Sequence, residues 1–292
     1  MSVSVPDNFL GLDPPLCDYE SARFALLPIP YDATASYATG ARDGPRAIIT
    51  ASQQVEWHDE QLGRESCRAG IATLSPLETD VRGPGKMHER IFEAADDVVR
   101  DDKFLFGLGG EHSVTSALVR AVRAKYDELS VLQIDAHADL RDSYQGSAYS
   151  HASVMRRIHE MEIDAIGVGI RSYSSEEARF IESAAKRIVS ARTCHETDDW
   201  IAGVVDALSD EVYVTIDIDG FDPACAPGTG TPEPGGLDWF QVTDLLAAVA
   251  RSRRIVAADC VEVRPLPPGN VTEFLAARLI YRLIGLVQTR SA

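Results

Sequence analysis

Leu129-Ser130-Val131-Leu132-Gln133-Ile134-Asp135-Ala136-His137-Ala138-Asp139-Leu140 is the stretch whose reading decides the fold. Its apolar half, Leu129–Ile134, reads as a buried parallel strand. The Asp-Ala-His-Ala-Asp segment lies where that strand would finish. A second apolar run, Val212–Ile216, leads in the same way into Asp217-Ile218-Asp219-Gly220. Alternate side chains of an extended chain share a face. Asp135, His137 and Asp139 therefore form one convergent set, and Asp217 and Asp219 a second. Open α/β sheets bind ligands in crevices outside the carboxyl ends of their strands. Four Asp and one His gathered there would repel one another strongly, and a divalent metal, more naturally two, resolves the conflict.

Outward from this stretch, strand and helix patterns alternate. Strands are expected at Arg23–Ile29, Lys103–Leu108, Leu129–Ile134, Ile163–Ile170, Val212–Ile218 and Ile255–Val263. Between them lie helical patterns: Gly44 to about Val55, His88–Val99, Ser113 to about Lys125, His151 to about Glu160, Glu176–Ala184, Asp198 or Asp199 to about Leu208, Trp239–Arg251 and Thr272–Leu286. Pro45 suits an early helical position, and Ser174 and Ser175 suit caps. Such alternation predicts an α/β fold, a three-layer α/β/α arrangement around a mainly parallel sheet. No linker, repeat or low-complexity stretch divides the 292 residues, so one domain with a core at about 20–290 is expected.

Composition narrows the function. The net charge of −17 disfavours nucleic acid and favours cationic ligands. The most apolar segment, Val271–Val287, contains Glu273, Arg278 and Arg282, so it reads as a packed helix and no membrane association is expected. The N-terminal residues lack a basic-then-apolar pattern. Five scattered cysteines, with no closely spaced pair, fit reduced thiols and a cytoplasmic location, and offer no structural zinc site.

His112 follows the strand Lys103–Leu108 and the glycines Gly107, Gly109 and Gly110, which let the backbone turn sharply at the sheet top. A phosphate-loop reading fails, because His112 takes the place of the last glycine and no Lys-Ser/Thr follows. Taken as a ligand, it completes the set His112, Asp135, His137, Asp139, Asp217 and Asp219. Imidazole with carboxylate suits Mn, Fe, Co, Ni or Zn, and six ligands exceed the needs of one tetrahedral ion. Two ions bridged by carboxylates account for the number and would ionise a water near neutral pH. His58, His88, His159 and His195 have no motif around them and are taken as structural or exposed.

Four ordered segments now coincide: Gly109-Gly110-Glu111-His112-Ser113, Asp135-Ala136-His137-Ala138-Asp139, Asp217-Ile218-Asp219-Gly220-Phe221-Asp222-Pro223, and Pro227-Gly228-Thr229-Gly230-Thr231-Pro232-Glu233. Together they resemble the ureohydrolase family of agmatinases, arginases and their relatives, over nearly the whole chain. The resemblance implies an arginase-like fold and two Mn2+ ions. One ion would take His112, Asp135, Asp139 and Asp217; the other would take His137, Asp135, Asp217 and Asp219, with Asp135 and Asp217 bridging. It also implies that Asp139 orients the attacking water, that His151 relays the proton to the leaving amine and that Glu262 binds the substrate guanidinium, functions for which imidazole and carboxylate are chemically apt. A trimer or hexamer is implied by likeness alone.

Two departures stand out. Glu111 occupies a position usually held by Asp and is expected outside the ligand set. Arg264 replaces Asn or Ser two residues after Glu262, and on one strand face it would pair with Glu262 and compete with substrate. The arginase anchors for an α-amino-acid head group are missing, Arg141 and Ser174 standing in their places. The expected substrate is therefore a small cationic guanidino compound without a carboxylate, agmatine or a similar guanidino-amine, cleaved to urea and a diamine. Guanidinobutyrase, arginase, formiminoglutamase and aminopropylagmatine ureohydrolase activities remain open. So do a metal-dependent deacylase and a catalytically silent regulatory subunit plugged by Arg264.

Overall fold

Alternation of apolar side chains to both faces of the strands explains the architecture of the computed structural model, which describes residues 5–289. The strands are β1 (Phe24–Ile29), β2 (His58–Asp59), β3 (Arg64–Glu65), β4 (Ile71–Thr73), β5 (Phe104–Gly109), β6 (Leu129–Ile134), β7 (Asp164–Ile170), β8 (Arg187–Ser190), β9 (Glu211–Asp217) and β10 (Arg254–Val261). The helices are α1 (Gly44–Ser52), α2 (Pro84–Arg100), α3 (Thr115–Arg123), α4 (Val154–Glu160), α5 (Ser175–Ser183), α6 (Ala191–Glu196), α7 (Trp200–Ala207), α8 (Trp239–Ser252) and α9 (Val271–Val287). Eight strands form one sheet in the order β4-β1-β5-β10-β9-β6-β7-β8. All its described pairings are parallel. The short β2–β3 hairpin stands apart and is antiparallel.

In β1, Phe24 and Leu26 join the core on one face while Ala25, Leu27 and Ile29 join the core on the other. In β9, Val212, Val214 and Ile216 take the first face and Tyr213 the second. Helices α1, α7, α8 and α9 cover the first face; α2, α3 and α4 cover the second. A sheet buried on both sides needs this continuous apolar content, so the three-layer expectation holds.

After β5 the chain passes over two strand positions to β6 and proceeds outward through β7 and β8. It then returns to lay β9 and β10 in the gap. The carboxyl ends of β5, β10, β9 and β6 are thus adjacent at a topological switch point, where this class of sheet opens a crevice. The elements absent from the sequence reading are β4, β8, α6 and the β2–β3 hairpin. They are short, and β8 is only half-buried, so they carry too little periodicity to be read. The last strand stops at Val261 rather than Val263, because Glu262 has φ 62° and leaves the sheet plane.

Candidate metal centre

Local backbone turns, more than strand pleat, bring the six residues together. Asp135 leaves β6 with its N–H donating to Val168 O at 3.0 Å on β7. His137 still bridges Ser172, but Asp139 reaches the cluster from a left-handed backbone with φ 53°, which Asp tolerates better than most residues. Asp217 ends β9, and residues Ile218–Gly220 form a 3-10 turn in which Asp219 N–H donates to Asp217 Oδ1 at 2.9 Å. The expected alternation along a strand thus gives way to turn geometry for Asp139 and Asp219. Gly220 permits the close approach of the two motifs, since a Cβ there would lie 2.9 Å from Asp135 N.

The resulting cluster is dense. His112 Nδ1 lies 3.1 Å from Asp135 Oδ2, 3.1 Å from Asp139 Oδ2 and 3.4 Å from Asp217 Oδ2. His137 Nδ1 lies 3.0 Å from Asp219 Oδ2 and 3.7 Å from Asp135 Oδ1. Two groups placed to hold a metal emerge, His112 with Asp135 and Asp139, and His137 with Asp135 and Asp219, sharing Asp135. All but His137 are buried.

The tautomer of His112 is set from behind. Its Nε2–H faces Thr215 Oγ1 at 2.9 Å, and that hydroxyl donates to Asp259 Oδ1 at 2.7 Å. Tyr213 Oη donates to the other Asp259 oxygen at 2.6 Å. The Nδ1 of His112 is left buried, with no hydrogen-bond partner, amid three carboxylates. A buried polar atom without a partner is costly, and a lone pair presented to hard oxygens fits a divalent transition ion. A ligating histidine tied through its other nitrogen is the usual arrangement of such sites.

The electrostatics express the same demand for positive charge. Burial and the neighbouring Asp135 carboxylate push Asp139 up to about 7. Burial, followed by Asp219, Asp135 and Glu262, raises Asp217 well above the carboxylate range. Burial alone would lower both imidazoles, but Asp135 and Asp139 outweigh it and raise His112, while Asp219 and Asp135 push His137 up to about 12. These shifts share one cause, an excess of buried negative charge that a bound cation would relieve.

A cleft of about 290 Å³ opens over the cluster, lined by Ser36, Tyr144, His151, Glu177 and Glu262 among others. Glu262 Oε1 accepts the His112 backbone N–H at 2.7 Å, and burial together with Glu111 pushes its carboxyl up to about 8. His151, held near 4 chiefly by burial, has Nδ1 at 3.3 Å from Thr34 Oγ1 and Nε2 at 3.4 Å from Ser36 Oγ. Glu111 is fully buried and belongs to neither ligand group. It accepts Thr34 N–H at 2.7 Å, Thr34 Oγ1–H at 2.6 Å and Ser113 Oγ–H at 2.5 Å.

The expected Arg264–Glu262 pair does not form. With Glu262 in a left-handed conformation, the two residues no longer share a strand face. Arg264 Nε instead donates to Thr39 O at 2.8 Å, and its side chain packs beside Gly40. Nothing therefore plugs the pocket from that side. Arg141 lies over the Tyr144 ring at 5.0 Å with Nε 3.8 Å from Glu177 Oε2, and Ser174 caps α5 in a capping box with Glu177. His88 and His195 are hydrogen-bonded to Ser116 Oγ and Gly236 O and belong to neither ligand group. Thr34, Ser36, Thr215 and Asp259 escaped the sequence reading. No spacing marks them, since each matters only through a partner far along the chain.

A model described as the arginase family matches residues 22–285. The N(1)-aminopropylagmatine ureohydrolase of Synechocystis is 37% identical, with 97% of this chain and 94% of that protein covered. The agmatinase of Pyrococcus horikoshii is 35% identical, with 93% and 94% covered. Among solved structures, the agmatine ureohydrolase of Thermoplasma volcanium superposes with a TM-score of 0.88 at 31% identity, covering 98% of this chain and 96% of that one.

Proposed function

The chain belongs to the arginase family, and we propose that it hydrolyses a guanidino-amine without a carboxylate, agmatine or its N1-aminopropyl derivative, to urea and an amine. The observation that carries the reading is the unpartnered, buried Nδ1 of His112, itself after β5, facing three carboxylates from the ends of β6 and β9, beside a second ligand group that shares Asp135. We assign His112, Asp135, Asp139 and Asp217 to one ion and His137, Asp135, Asp217 and Asp219 to the other, with manganese as the ion. When bound, the pair would supply an ionised water as nucleophile for the guanidinium carbon and positive charge to stabilise the tetrahedral species that follows.

The remaining steps belong to side chains. Glu262, anchored by the His112 N–H, offers its other carboxyl oxygen to the planar guanidinium, whose positive charge would favour the ionised form. Asp139 holds the attacking water in line. His151, lining the cleft, carries the proton to the departing nitrogen. The choice of substrate is supported by the residues at the two amino-acid anchor positions. Arg141 is engaged with Tyr144 and Glu177, and Ser174 is spent as a helix cap. Likeness to the Synechocystis enzyme favours the longer amine.

Urea release with manganese supplied, over a panel of agmatine, N1-aminopropylagmatine, arginine and guanidinobutyrate, tests the reading. One or both of the first two should exceed arginine in kcat/KM by about 100-fold or more, equivalent to ~3 kcal/mol of discrimination. Preference for arginine, or no urea from any of them, would contradict it.

A further inference from the structure

The hydroxyl of Thr34 stands between a buried carboxylate and a cleft imidazole. It makes three hydrogen-bonding contacts. It lies 2.6 Å from Glu111 Oε1, accepts the His151 backbone N–H at 3.1 Å and meets His151 Nδ1 at 3.3 Å. A threonine hydroxyl has one proton and two lone pairs. Glu111 is an acceptor that already takes Thr34 N–H and Ser113 Oγ–H, so the hydroxyl proton goes to it. Both lone pairs then face His151, and Nδ1 must bring its own hydrogen. Ser150 Oγ, 3.4 Å from the same nitrogen, can accept as well as donate and does not oppose this. The other ring nitrogen, Nε2, is left with its lone pair toward Ser36 and the cleft.

We infer that Thr34 is a positioning residue: backed by Glu111, it fixes His151 as the Nδ1–H tautomer and aims Nε2 into the cleft as the proton-carrying atom. The inference rests on the reading of His151 as the proton carrier. Nε2 would take a proton from solvent and release it to the departing amine nitrogen as the C–N bond breaks and its electron pair stays on nitrogen. The three segments so joined come from separate parts of the sheet edge. Thr34 follows β1, Glu111 follows β5, and His151 lies beyond the loop after β6. None of the three belongs to the metal-ligand groups.

Steady-state kinetics on the manganese enzyme test this through a double-mutant cycle. Thr34→Val keeps the shape and removes the hydroxyl, with Thr34→Ala as the second version should the first misfold. We expect kcat to fall about 10- to 100-fold, a part of what a positioned acid–base group contributes. KM and manganese content should stay within about twofold, and Thr34→Ser should restore kcat to within about threefold. On a His151→Asn background the Thr34→Val change should cost nothing further, because the residue acts through the imidazole. If Thr34→Val alone leaves kcat intact while His151→Asn lowers it, the inference fails and the proton-carrier reading stands. A loss that persists undiminished on the His151→Asn background also overturns it. If His151→Asn itself turns over at the wild-type rate, the underlying reading fails and takes the inference with it.

Discussion

At the scale of single residues, the behaviour of the site follows from how its protons and lone pairs are distributed. Thr215 links the His112 ring to Asp259. Thr215→Val would leave the His112 Nε2–H and Asp259 Oδ1 without that partner, and removing such an outer partner costs roughly 10- to 100-fold in metal affinity. Calorimetric titration of the metal-free variant with manganese should show that loss with the fold intact by circular dichroism; unchanged affinity would mean that His112 is not held from behind. The proton on Asp139 gives a second expectation. Its carboxyl sits at about 7 without metal, and ions must displace that proton. Apparent manganese affinity should therefore rise as pH goes from about 6 to 8, with proton release visible as a buffer-dependent binding enthalpy. A flat profile would contradict the ligand role of Asp139. The six candidate ligands were legible because their residue types and short spacings are local. Thr34 and Thr215 were not, since a threonine acquires meaning only when folding sets it against residues 77 and 44 positions away.

Elements carry their own consequences. Helices α2 and α3 meet at His88, which is buried against Ser116 at 3.1 Å and against the Tyr149 ring at 4.7 Å. Burial pulls this imidazole down from 6.5 to about 4. The unfolded chain takes up the proton below pH 6.5 while the folded chain resists it, so this contribution is fully present above 6.5 and is lost as pH falls toward 4. The slope is at most about 1.4 kcal/mol per pH unit. His88→Gln should flatten that part of the stability profile, measured by denaturant unfolding at pH 7, 6 and 5 beside the wild type. An unchanged slope would show that His88 is not the group responsible. Among elements, the long buried strands were readable because both faces are apolar, and Leu129–Ile134 was placed to the residue. The three-residue β4 owes its existence to parallel pairing with β1, which its own sequence does not announce. Glu262 shows the opposite limit. Its alternation with Arg264 implied a shared face, and one positive φ undid it.

Over the whole molecule, the central strands assemble the site and α9 ties a distant chain segment to the core. Arg282 is a fully buried side chain of α9. It forms an ion pair with buried Asp59 and reaches Glu60 and Gln61, all in the hairpin region of the chain. Removing one partner of a buried pair strands the other charge. Arg282→Ala should therefore cost roughly 3–5 kcal/mol, read as a lowered denaturation midpoint. Retention of wild-type stability would mean that the pair is dispensable. No helix among the described residues is long and apolar enough to cross a membrane, and α9 is instead packed in the core, as its charged interruptions imply.

The central claim is that the ends of β5, β6 and β9 enclose two divalent ions sharing Asp135. Anomalous diffraction at the manganese edge, from crystals grown with the metal, addresses it most directly. Two peaks roughly 3.5–4 Å apart, both touching Asp135 and flanked by His112 and His137, are the predicted result, with both peaks lost in Asp135→Ala. One peak, none, or ions bound away from these residues would contradict it.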